Sequence, residues 1–127
     1  MTQLELLEDT VKYYSEDVTR RNLSSTGVCK YFPQHANTQG CAIGRLISRT
    51  LCKGLDEQYS TILADVFDEL PLNVKKYGSG FLEQLQILHD TRYYWGEDGM
   101  TEDGKEFADR FRRQVIEGVY ESGLFSE

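Results

Sequence analysis

Three cysteines and two histidines are the side chains of this chain best suited to hold a metal or attack an electrophile. Cys29, His35 and Cys41 fall within residues 28–47, VCKYFPQHANTQGCAIGRLI, with Cys52 downstream. Cys29, His35 and Cys41, joined by Cys52, are the donor types zinc takes at about 2.0–2.3 Å in a tetrahedron. The intervening spacings of five, five and ten residues contain neither CxxC nor HxxxH. No pair is therefore preset for chelation, and buried structural thiols account for the same residues. A second chemistry is nucleophilic. Cys41 opens the CAIGRLI segment, and a cysteine at a helix start has its thiol pKa lowered by the helix dipole. His89, from a helix packed against it, would be the base. The competing reading makes His89 a core histidine with one backbone hydrogen bond.

The third chemistry is recognition without reaction. Tyr31, Arg45, His89, Arg92 and Tyr93, followed by Tyr94 and Trp95, offer the rings and guanidinium groups that stack on a base and clamp a phosphate. If the 28–47 stretch faces the end of the His89 helix, those five line one pocket, with backbone amides at 40–42 open to an anion. YGSGF lacks the GxxxxGK[ST] spacing of a phosphate loop, and EDGMTEDG lacks the alternating acids of a calcium loop.

The elements that must position these groups read mostly as helix. Residues 3–18 carry Leu6, Leu7, Thr10, Val11, Tyr14 and Val18 at helical spacing. VCKYF reads as a short strand, PQHANTQG as a turn and CAI as its answering strand, a hairpin that would bring Cys29 near Cys41. CAIGRLIS then becomes a short helix, with Ala42 and Gly44 small enough for close backbone approach. Asp56 is the expected N-cap of a helix whose apolar face is Tyr59, Ile62, Leu63, Val66 and Leu70, stopped by Pro71. LNVKKYGSG is an edge strand or an irregular link. Ser79 caps a helix over 81–94 with Phe81, Leu82, Leu85, Leu88 and Arg92 on one side, His89 among them and Asp90 opposite. Thr101 caps the last helix, whose stripe is Phe107, Ala108, Phe111, Val115 and Val119 and whose wet face pairs Glu106 with Arg110 and Asp109 with Arg113. The expected fold is mainly α: about four amphipathic helices with a small β-hairpin insert, α+β at the margin, in a single domain over 1–127.

Composition bounds the function. With 127 residues, 39% hydrophobic, the chain is long enough for one core. A net charge of −7 repels a phosphate backbone, so nucleic acid is not an expected partner. The charge could instead mimic nucleic acid toward a basic protein. No apolar run reaches the roughly 18 residues of a membrane span, and MTQLELLEDT lacks the basic and apolar regions of a signal peptide. The expected location is the cytoplasm, where thiols stay reduced.

The pattern C-x-Y (Cys29, Tyr31), C-A-I-G-R-L-I (residues 41–47), F-L-x-x-L-Q-x-L-H-D (residues 81–90) and a Trp at 95 resembles an uncharacterised family of small phage and bacterial proteins. The resemblance covers roughly residues 10–110. It implies that Cys29, Cys41, Gly44, His89 and Asp90 matter to the domain, leaves Cys52 and His35 outside the pattern, and brings no assigned activity. It also implies a phage setting. The expected function is a non-catalytic binding protein used in host interference or anti-defence. Such a protein would sequester a nucleotide-like small molecule or block a host protein, in the host cytoplasm. A small enzyme using Cys41 and His89 is the alternative. No cofactor is expected, and a homo-oligomer is left open.

Overall fold

Thr2 starts the first helix by a reciprocal cap: its hydroxyl accepts from the Glu5 N–H at 3.1 Å, and the Glu5 carboxylate accepts from the Thr2 N–H at 2.9 Å. The computed structural model describes residues 1–22, 30–34, 38–58 and 63–121, apart from the side chains of Gln58 and Ala64. The expectations for Cys29, His35, Tyr59 and Ile62 lie outside the described residues. Helix α1 (Gln3–Glu16) buries Leu6, Leu7, Thr10 and Tyr14. It stops short of 18 because Asp17 is extended and its carboxylate accepts from the Thr19 N–H, closing a separate turn at Val18–Arg20.

Helix α2 (Arg49–Gln58) begins where the Ser48 hydroxyl accepts from the Leu51 N–H at 3.2 Å. Asp56 therefore caps nothing at its own N-terminus; it lies in the last turn of α2 and reaches elsewhere. Leu63, Val66 and Leu70 are buried along α3 (Leu63–Val66) and the 3-10 turn Phe67–Glu69, as their spacing predicts. Pro71 ends that run and opens α4 (Leu72–Lys75), so the LNVKKYGSG stretch holds a helical turn and not an edge strand. Gly78, at φ +86°, precedes α5 (Ser79–Asp90), which makes Ser79 the first helical residue and not the cap.

Phe81, Leu82, Leu85, Leu88 and His89 are buried on α5, and Asp90 is turned outward. The helix ends at Asp90, before residue 94. A 3-10 turn, Arg92–Tyr94, follows it and carries Arg92 out of the stripe and into solvent. Strands β1 (Trp95–Gly96) and β2 (Gly99–Met100) pair antiparallel, Trp95 opposite Met100. Helix α6 (Glu102–Ile116) is capped by the Thr101 hydroxyl, which accepts from the Gly104 N–H at 3.1 Å. Phe107, Ala108 and Phe111 are its buried stripe. Val119 is 54% exposed, because the helix has ended before it. On the wet face Arg112 pairs with Asp109 and with Glu8 of α1, in place of the expected Asp109–Arg113 pair.

The fold is mainly α with a small β-hairpin. The hairpin, however, is at 95–100. Residues 30–32 and 41–43 are not strands, because their backbone groups bond to distant side chains instead of to each other. The core lies between α1, α5 and α6, with Phe81 and Phe111 rings 5.2 Å apart and Tyr120 closing on Phe111 at 5.5 Å.

Candidate functional site

His89 sits at the centre of a buried polar knot. Its Nε2 accepts from the Asn22 backbone N–H at 3.0 Å, and its Nδ1 meets the Asp90 carboxylate at 2.6 Å. An Nε2 that accepts leaves the ring proton on Nδ1, so the imidazole is neutral and both nitrogens are used. Burial is the largest influence on it and lowers its pKa; Asp90 opposes that effect, and Arg21 adds to it. Tyr14 packs edge-on against the ring at 4.9 Å, and its hydroxyl donates to the Gly40 carbonyl at 2.9 Å.

Asn22 relays this contact to the 30–34 loop. Its Nδ2 donates to the Lys30 and Phe32 carbonyls, and its Oδ1 accepts from the Gln34 N–H at 2.8 Å. From the other side Asp56 accepts from the Tyr31 N–H at 3.0 Å and from the Phe32 N–H at 2.9 Å. A short loop with no strand partner among the described residues thus has backbone groups met by two side chains.

Both described cysteines belong to the same scaffold. Cys41 and Cys52 are free and buried; the Cys41 sulfur accepts from the Gly44 N–H, and the Cys52 thiol donates to the Gly44 carbonyl, each at 3.3 Å. Burial raises the Cys41 thiol pKa well above its ordinary value and pushes Cys52 up to about 11. Cys41 precedes the single turn Gly44–Leu46 and heads no helix long enough to activate it, so the lowered pKa expected from a helix start is replaced by a raised one. Gly44 is indispensable to this arrangement: a Cβ there would stand inside the Tyr31 carbonyl.

The five residues expected to line one pocket divide into a buried and an exposed set. Tyr31 and His89 are 1% and 0% exposed. Arg45 is held over the Tyr13 ring at 4.1 Å and bonded to Asp9 at 3.0 Å. Arg92 and Tyr93 are exposed and pair with each other, and Tyr93 lines a cleft against α6 with Tyr94, Glu106 and Phe107. Of the four candidate zinc donors Cys41 and Cys52 are described, and among the described residues no group of three His, Cys, Asp or Glu side chains could hold a metal.

An open cleft of about 440 Å³ lies where the 30–34 loop meets the solvent face of α2. Phe32 forms one wall, and Arg49, Thr50, Lys53, Gly54 and Glu57 form the other. Arg49, Lys53 and Glu57 repeat every four residues, opposite buried Cys52 and Leu55. Gly54 interrupts this helix without a packing reason: a Cβ added there meets nothing within 4 Å among the described residues. Interior glycine costs a helix roughly 0.5–1 kcal/mol relative to alanine. The sequence reading missed these groups because it began the helix at Asp56, and so never laid Arg49 and Lys53 on one face. Asn22 gave no signal at all, being one polar residue in a polar run.

Comparisons with protein-family models, with curated proteins and with solved structures found no match. Among the described residues no helix is long and apolar enough to cross a membrane.

Proposed function

We propose that this is a non-catalytic binding protein whose ligand is a nucleotide-like anion, taken in the Phe32–Arg49–Lys53 cleft. The carrying observation is Gly54. It leaves the α2 backbone bare in the lining of a cleft that has an aromatic wall and two cations, at a cost in helix stability that no described neighbour repays. A planar base stacks on Phe32, Arg49 and Lys53 meet the phosphate, and Gly54 lets the ligand approach the helix. Local donors decide affinity at contact distance, so the net charge of −7 does not forbid an anion. Among the described residues, the cysteines and histidine that could carry out a reaction, Cys41, Cys52 and His89, are buried and bonded within the scaffold. The family resemblance makes host interference by a phage the biological setting of this reading.

The test is a thermal-shift series with mono-, di- and cyclic nucleotides. A ligand at a hundredfold excess over its Kd stabilises by about 2.7 kcal/mol, a Tm rise on the order of 10 °C in a domain of this size. Lys53→Glu should weaken binding roughly tenfold or more by removing a charge-assisted bond. Gly54→Ala should raise the Tm of the free protein while weakening the ligand. Unchanged affinity in both variants would remove the ligand from this cleft. If no nucleotide shifts the Tm and one stoichiometric protein is recovered from host lysate, the protein-blocking reading takes its place.

A further inference from the structure

We infer that the His89–Asn22 pair is a proton-operated clamp on the 30–34 loop. The inference starts from the direction of one hydrogen bond. His89 Nε2 accepts from the Asn22 N–H at 3.0 Å, while Nδ1 is engaged with Asp90 at 2.6 Å. A second proton on the ring must go to Nε2, where it would point at another N–H. Two donors face to face leave both buried and unsatisfied, and Asn22 must withdraw.

What Asn22 holds determines the consequence. Its side chain satisfies the Lys30 and Phe32 carbonyls and the Gln34 N–H, and its backbone carbonyl accepts from the Lys30 N–H at 3.4 Å. When Asn22 withdraws, the loop loses these bonds, while the Asp56 carboxylate still holds the Tyr31 and Phe32 N–H groups and the Tyr31 side chain stays in the core. Phe32 is the aromatic wall of the cleft, so protonation of one buried ring loosens that wall from a distance.

The charged and titratable surroundings are specific. On its own helix His89 faces Asp90, whose charge favours the protonated ring. From the Asn22 side comes Arg21, which opposes it and whose Nε donates to the His89 carbonyl at 2.9 Å. From α1 comes Tyr14, neutral and donating to Gly40. Cys41 and Tyr31 lie in the same core, near enough to Asp90 for its charge to oppose their ionisation. Burial outweighs Asp90 and holds the ring neutral in the closed loop. A ring freed from that burial binds its proton near pH 6.5. The sign follows: the closed form is fully favoured above about 6.5 and loses ground as pH falls toward the depressed value of the buried ring, by up to tenfold per pH unit.

The bearing of the clamp on ligand affinity rests on the cleft reading above; the loop's own response to protons does not. The test is hydrogen exchange of the Asn22, Lys30 and Gln34 amides, which the clamp holds, in the free protein from pH 7.5 to 5.5, corrected for intrinsic exchange. Their protection should fall by up to about tenfold per unit below pH 6.5. In His89→Gln, whose amide oxygen can accept from Asn22 but does not titrate, protection should be independent of pH. Constant protection in the native chain, or an equal fall in His89→Gln, overturns the clamp. Should that variant not fold, NMR of the native chain decides, with His35→Gln to assign the rings. The Asn22 and Phe32 amide shifts must follow the His89 ring with one midpoint, and separate midpoints overturn the proposal. A nucleotide-binding measurement over the same range then tests the cleft alone.

Discussion

Gly44 rests on the Tyr31 carbonyl and Gly104 on the Tyr94 carbonyl, and at either a Cβ would collide with backbone. The surroundings of the two contacts differ in kind. Near Gly104 the ties are short-range: the Thr101 N–H donates to the Tyr94 carbonyl at 2.9 Å, the Thr101 hydroxyl caps α6, and β1 and β2 close between them. Apolar stripes then seal this half, with Tyr94 stacked on Phe107 at 4.8 Å. Near Gly44 the ties are long-range and polar. Asp56 reaches Tyr31 and Phe32, Asn22 reaches His89, and the Gln86 side-chain Oε1 accepts from the Ile43 N–H at 3.3 Å. Apolar packing tolerates small shifts and depends mainly on area, whereas a buried hydrogen bond is lost within a fraction of an ångström. The Gly104 side is therefore built for robustness, and the Gly44 side for a particular geometry whose failure is abrupt.

Substitutions in the two halves should separate along that line. The largest loss is expected from Leu85→Asp, which places an unpaired charge at a fully buried site of α5. Its cost exceeds about 4 kcal/mol and should abolish the cooperative unfolding transition by circular dichroism, whereas exposed Glu83→Ala stays within about 0.5 kcal/mol. Comparable tolerance at the two positions would break the picture of α5 as the central apolar stripe.

A smaller but sharper effect is expected from Asp56→Asn. The change is almost isosteric, yet it turns one acceptor into a donor facing a backbone N–H, so roughly 1.5–3 kcal/mol should be lost in urea unfolding. The loss should come with increased exchange at Tyr31 and Phe32 and none at the α5–α6 contact. A uniform loss of protection across the chain would mean that the two halves are one cooperative unit. The smallest effect belongs to Arg112→Ala. Its pair with Glu8 joins α6 to α1 at 2.7 Å and its pair with Asp109 lies within α6 at 2.6 Å, but both carboxylates are in solvent. Below about 1 kcal/mol is expected, shrinking further in 0.5 M salt.

Sequence by itself determined the helical half of this protein. The stripes of α1, α5 and α6 and the Thr101 cap follow from residue spacing within one or two turns, and the burial of Leu6, Leu85 and Phe111 follows with them. It also determined that His89 faces inward and Asp90 does not. Only the tertiary structure decided where the hairpin forms, that Asp56 holds a loop instead of starting a helix, and that Tyr31 and His89 are buried while Arg92 and Tyr93 are exposed. The reason is range. A cap or a stripe is a local free energy written in neighbouring residues, while the partners of Asn22, Asp56 and His89 lie on other elements, and polar residue types do not name their partners. The cleft escaped the sequence reading: a helix started at Asp56 does not lay Arg49, Lys53 and Gly54 on one face, and only the packing of the 30–34 loop brought Phe32 opposite them.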